Sequence, residues 1–140
     1  MTVQLNHTIV VVRDKVTSAA FYTEVLGLPP ARMLGPFAVV QTGETSLDLV
    51  DGDGPIQPRH FAFLVSEEEF DAIFARIRER GLGYWADPFH RLAGQINTYD
   101  DGRGVYFDDP DGHHLEILTR PYGSGGYDAE SPNPLLPPRR

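Results

Sequence analysis

The chain repeats itself, and that repetition limits the folds open to it more than any other feature. The segment LNHTIVVV at residues 5–12 is matched by PRHFAFLV at 58–65, and TSLDLV at 45–50 is matched by HHLEIL at 113–118. The same order of elements is legible inside both halves. Residues 5–12 are rich in β-branched side chains and read as a strand. Over residues 14–26, Val16, Ala19, Ala20, Phe21, Val25 and Leu26 recur at helical spacing, and Gly27 stands where a left-handed glycine would end the helix. Pro29 and Pro30 forbid its continuation. Strands are predicted at 37–41 and 45–50, followed by Asp51-Gly52-Asp53-Gly54-Pro55, a dense turn cluster and the strongest internal boundary. The order then recurs. A strand at 59–65 leads to Ser66 and Glu69 as a capping box, and Phe70, Ile73, Phe74 and Ile77 mark the buried stripe of a helix ending at Gly81. A strand at 82–85, a loop over 87–101, and strands at 104–107 and 113–119 complete the second half, the last two divided by the turn Asp109-Pro110-Asp111-Gly112. The second pair of matches is more widely spaced than the first, and the loop around 89–97 absorbs the difference. The expectation is an α+β chain of two strand–helix–strand–strand–strand modules, one over 1–52 and one over 56–120. Neither is large enough to close a core alone.

Composition narrows the functions. Within 140 residues, 12 basic side chains face 20 acidic ones, a formal charge of −8, which argues against nucleic-acid and anionic-membrane partners. The absence of cysteine excludes disulfides, thiolate metal sites and cysteine nucleophiles. The opening MTVQLNHTIVVVRD has neither a basic leader nor a long apolar run, so a soluble cytoplasmic protein is expected. Residues 121–140 are rich in Gly, Pro and polar side chains and read as a tail, extended, disordered or wrapped on a partner subunit.

Strand alternation then sorts the polar residues. His7 lies with Leu5, Ile9 and Val11, and His60 with Ala62 and Leu64. Asp48 sits between Leu47 and Leu49, and Glu116 between Leu115 and Ile117, each on the face opposite its neighbours. His7, Asp48, His60 and Glu116 thus occupy equivalent positions of the two modules. Two imidazoles and a carboxylate with open positions suit Fe, Mn, Ni, Co or Zn as divalent ions. A buried carboxylate is costly unless it is paired, hydrogen-bonded or metal-bound. Asp48, with its short side chain, is a candidate ligand or general base. His114 shares the face of Glu116 and is a candidate for substrate contact, whereas His113 points the other way and is expected at the surface. His90 lies in the long loop, between a lid role and plain solvation. Tyr99 and Tyr106 are candidate hydrogen-bond donors, and Phe37, Trp85, Phe89 and Tyr99 offer rings to a flat ligand. Arg59, Arg91 and Arg103 are the only candidate cations near the site.

The segments LNHTIVVVRD, SAAFYTEVLGL and YFDDPDGHHLEIL resemble the vicinal oxygen chelate superfamily, which holds glyoxalase I, fosfomycin-resistance thiol transferases, extradiol dioxygenases, methylmalonyl-CoA epimerase and bleomycin-resistance proteins. The resemblance spans residues 5 to about 119. It implies paired βαβββ modules forming a U-shaped, partly closed mixed sheet with helices outside, usually in a homodimer. It also implies metal ligands at His7, His60 and Glu116, as in the fosfomycin-resistance and dioxygenase branches; glyoxalase I carries a glutamate where this chain has Asp48. The leading expectation is a metal-dependent lyase, isomerase, transferase or oxygenase acting on a small oxygen-bearing substrate. The rival is a bleomycin-resistance-type protein that sequesters an antibiotic or other aromatic molecule without chemistry.

Overall fold

A computed structural model describes residues 2–125 together with Asn133 and Leu135. The chain forms two compact units. The first runs to Pro58 and includes Asp109–Gly112; the second comprises Arg59–Asp108 and the described residues from His113 onward.

The first unit contains β1 (His7–Val12), α1 (Lys15–Leu26), β2 (Arg32–Leu34), β3 (Phe37–Thr42) and β4 (Thr45–Asp51). Its sheet order is β1-β4-β3-β2, with β1 parallel to β4 and the other pairs antiparallel. Helix α1 begins where expected, because the Asp14 carboxylate accepts from the backbone N–H of Val16 and Thr17. It ends at Gly27, whose φ of 70° suits a residue without Cβ. The buried stripe differs from the one read in sequence. Val16 and Ala20 face solvent, and Ser18 and Tyr22 are buried instead. Their hydroxyls find carboxylates in the 109–112 turn, Tyr22 donating to Asp109 (2.8 Å) and Ser18 to Asp111 (3.2 Å). With Ala19, Phe21 and Val25 they pack on β3 and β4, against Ala38, Val40, Leu47 and Leu49. Strand β2 has no counterpart in the sequence reading, since Arg32, Met33 and Leu34 are all exposed and show no alternation.

The second unit contains β5 (His60–Leu64), α2 (Glu67–Glu79), β6 (Tyr84–Trp85), a single 3-10 turn (Tyr99–Asp101), β7 (Gly104–Asp108) and β8 (His114–Leu118). Its sheet order, β5-β8-β7-β6 with β5 parallel to β8, reproduces the first. The capping box is present, with Ser66 Oγ accepting from Glu69 N–H and the Glu69 carboxylate accepting from Ser66 N–H. Phe70, Ile73 and Ile77 form the buried face of α2, and burial of side chains this large stabilises by about 1.5–3 kcal/mol each.

Strand register makes the repeat exact to the residue. His7 pairs with Ser46 and Ile9 with Asp48, while His60 pairs with His114 and Ala62 with Glu116. Two expectations are corrected. His113 is buried, not at the surface, because its Nδ1 accepts from the Arg59 N–H at 2.9 Å and its ring meets Phe61. The expected tail begins as a bound segment, with Tyr122, Gly123 and Gly125 all hydrogen-bonded within the second unit. Most of the remainder of that tail lies outside the described residues. Among those described, no helix is long and apolar enough to cross a membrane.

Candidate functional site

Residues directly opposed across a ladder share a face of the sheet. In the second unit this gathers His60, His114 and Asp108, and beside them Ala62, Glu116, Tyr106 and Trp85, on one face. Phe61, Leu115 and Phe107 occupy the other. The polar face therefore follows from the alternation of β5, β7 and β8.

Glu116 is its centre, with only 1% of its surface exposed. One carboxylate oxygen lies 3.2 Å from His60 Nε2; the other accepts from the Tyr122 hydroxyl, which in turn bonds the Tyr106 hydroxyl. The opposite nitrogen of His60, Nδ1, is 3.0 Å from the His114 carbonyl. A carbonyl only accepts, so Nδ1 carries a proton, and Nε2 and Glu116 Oε1 are left as two electron-rich atoms facing each other. They need a cation between them. In the metal-free chain that cation is a proton, and the hydrogen bond to Glu116 raises the His60 pKa against the opposing effect of burial. Ligand atoms bound to one first-row ion at bonds of ~2.0–2.2 Å sit roughly 3 Å apart, so the spacing of this pair fits a divalent metal. Burial raises the pKa of both Tyr106 and Tyr122, and the nearby Glu116 charge adds to it, so both phenols stay protonated donors at neutral pH.

His7 and Asp48 belong to the first unit, where the β1–β4 register sets them on one face. His7 is exposed, with Nδ1 2.7 Å from Asn6 Oδ1, and Asp48 is half-buried and accepts from Ser46 Oγ at 2.8 Å. Phe37, half-buried at the start of β3, also belongs to that unit.

Other candidates are employed elsewhere. Arg103 binds Glu67 (2.7 Å) and Asp71 (2.8 Å) of α2 and lies over the Phe70 ring, so its guanidinium is committed to the helix. Arg91 lies over Phe89, a contact within its own loop. Tyr99 is buried and donates to the Ala86 carbonyl at 3.2 Å, which leaves its hydroxyl no role as an open donor. Trp85 remains on the polar face, its indole stacked on the His90 ring.

Tyr122 is the site residue that sequence reasoning missed. Its place depends on Asp100, whose buried carboxylate accepts from Gly123 N–H (2.9 Å) and Gly125 N–H (3.3 Å) and so folds residues 121–125 back onto the sheet. The only local signal was a tyrosine four residues after the end of β8 in an otherwise tail-like composition.

The family model described as Glyoxalase/Bleomycin resistance protein/Dioxygenase superfamily matches residues 4–117. Among solved structures, one titled oxidase ChaP-H2 is 61% identical, covering 90% of this chain and 100% of its own, with a TM-score of 0.87. Among curated proteins, glutathione transferase FosA of Serratia marcescens is 29% identical over 124 residues, 84% of this chain and 81% of its own length. Metallothiol transferase FosB of Lysinibacillus sphaericus (strain C3-41) is 30% identical over 126 residues, 85% and 84% of the two chains.

Proposed function

The chain belongs to the glyoxalase/bleomycin resistance protein/dioxygenase superfamily, and from that premise we propose that it is a metal-dependent oxidising enzyme acting on a small oxygen-bearing substrate. The observation that carries the choice among the superfamily's chemistries is the 61% identity to an oxidase along nearly the whole chain, twice the identity to the two transferases. In this reading His60 and Glu116 hold a divalent Fe, Mn, Ni, Co or Zn ion, and His7, at the place in the first unit equivalent to His60, is assigned as a metal ligand as well. The ion, when bound, supplies Lewis acidity and a template for neighbouring substrate oxygens. The remaining work falls to the chain. Tyr122 fixes the orientation of the Glu116 carboxylate, as groups behind metal ligands do. Tyr106 donates its one proton to the Tyr122 hydroxyl and so holds Tyr122 as the donor to Glu116. Trp85 offers an apolar ring to the carbon frame, and Asp48 is assigned as ligand or general base. Neither Arg nor Lys is among the strand residues sharing the Glu116 face, which favours a neutral substrate over a phosphonate or a thiol tripeptide. The exposed apolar residues Ile9, Val11 and Leu64 fit a homodimer, the association we assign to it.

The test is oxygen uptake. Apo-protein reconstituted separately with Fe(II), Mn(II), Ni(II), Co(II) and Zn(II) is offered neutral aromatic diols and hydroxyketones in an oxygen electrode. The expected result is uptake with one redox-active ion, dioxygen taking the electrons that the substrate loses. A parallel arm with fosfomycin and a thiol, and one scoring unchanged ligand retained at one per site, covers the transferase and sequestering alternatives. Turnover in either arm without oxygen uptake overturns the reading.

A further inference from the structure

We propose that His90, Asp108 and His114 form a second divalent-metal site, distinct from the His60–Glu116 pair and suited to a borderline transition-metal ion such as Zn(II), Co(II) or Ni(II). Two imidazole nitrogens and a carboxylate oxygen from these residues all lie within 4.8 Å of one another. Asp108 Oδ1 is the shared point, 2.8 Å from His114 Nδ1 and 3.6 Å from His90 Nε2. Ligand atoms around a tetrahedral ion with bonds of ~2.0–2.2 Å sit about 3.4 Å apart, so modest side-chain rotation brings this set to bonding distance.

Each member is held from behind. Asp108 and His114 are direct partners in the β7–β8 ladder, which fixes their separation. His90 is carried by a loop organised around the buried Asp87 carboxylate, which accepts from the backbone N–H groups of Phe89 (3.2 Å), Arg91 (2.9 Å) and Leu92 (2.7 Å). Within that loop His90 adopts φ 57°, a left-handed conformation costly for a residue with a Cβ. Its ring lies on the Trp85 indole at 3.7 Å between centroids and 4° between planes, and edge-on to the His114 ring. The strained backbone and the stack together turn the imidazole toward Asp108. Two neutral nitrogens and one anionic oxygen favour first-row transition metals over magnesium or calcium, which take all-oxygen sets. Three protein ligands leave a position for water, and the ion would fasten the His90 loop to the β7–β8 hairpin.

The metal alone is the probe. Full-length apo-protein is titrated with Co(II) and with Zn(II), by calorimetry and visible absorption, as wild type, His90→Ala, Asp108→Asn and Glu116→Gln. Two equivalents per chain are expected in the wild type and one in each variant. Trp85 is the chain's single tryptophan and touches His90, so Co(II) quenches its fluorescence in Glu116→Gln but not in the His90→Ala/Glu116→Gln double variant. Unchanged stoichiometry in both His90→Ala and Asp108→Asn overturns the second site, whatever Glu116→Gln does. An equivalent lost only with His90 and Asp108 keeps this site and removes the one at Glu116. Asp108→Asn preserves the strand and guards against a loop variant that merely misfolds, which circular dichroism monitors.

Discussion

Glu116 is a carboxylate that the fold can bury only because its partners share the charge. His60 and Tyr122 each occupy one oxygen, and Tyr106 supports Tyr122. If Tyr122 steadies a metal ligand, Tyr122→Phe should weaken metal affinity by about 10–100-fold, the usual cost of losing a group behind a ligand. Competition with a chromophoric chelator measures this; tighter binding would mean that Tyr122 competes with the ion. His60 and Glu116 were legible in the sequence because alternation places each on a face by counting. Tyr122 was not, since its position is set by Asp100, a residue 22 places earlier that itself sits at φ 58°. Tyr99 shows the same limit in reverse, an apparent donor whose hydroxyl is used by the Ala86 carbonyl. Its pKa is pushed up to about 12, first by burial and then by the charges of Asp87 and Glu116. A phenol raised in the folded state stabilises fully below its ordinary value near 10 and loses that contribution as pH climbs toward the folded one. Tyr99→Phe should therefore lose less stability than wild type between about pH 10 and about pH 12 in denaturant titrations.

Among elements, ends were easier to read than faces. The Gly27 stop and the Ser66–Glu69 box are local, written within a few residues, and both stand as expected; the Asp14 cap is equally local. Asp14→Ala should cost about 1 kcal/mol, read as a lower denaturant midpoint at unchanged slope. The buried face of α1 was misjudged because it is not purely apolar; Tyr22 and Ser18 turn inward to carboxylates some ninety residues away in sequence. Strand β2 escaped because three exposed residues carry no period. The segment 121–125 has no regular secondary structure, yet it carries Tyr122 to Glu116. A Cβ at Gly125 would lie 1.6 Å from the Asp100 carbonyl oxygen, a contact the backbone cannot absorb in place. Gly125→Ala should release the segment, expose residues 121–125 to proteolysis, and lower metal affinity in the same direction as Tyr122→Phe.

At the scale of the whole chain, one unit is built twice, with the same strand order and the same register of polar positions. That duplication is why the fold could be read from sequence: each half corroborates the other, and the comparisons with known proteins place the chain in the same superfamily. The chemistry within the superfamily was less legible, because the three proposed ligands serve several reactions and identity to an oxidase, not any motif, separates them. Val11 and Leu64, at equivalent places in the two units, are exposed apolar side chains. If they lie in a homodimer interface, Val11→Asp and Leu64→Asp should shift sedimentation toward the monomer. The proposal is that His7, His60 and Glu116 each serve as a ligand to a divalent ion. Metal content by plasma mass spectrometry, on protein reconstituted and freed of excess ion, tests it most directly. The account predicts an equivalent per chain that is lost in His7→Ala, His60→Ala and Glu116→Gln alike and kept in His90→Ala. A metal content as high in all three ligand substitutions as in the wild type, or a chain that takes up no ion at all, would contradict it.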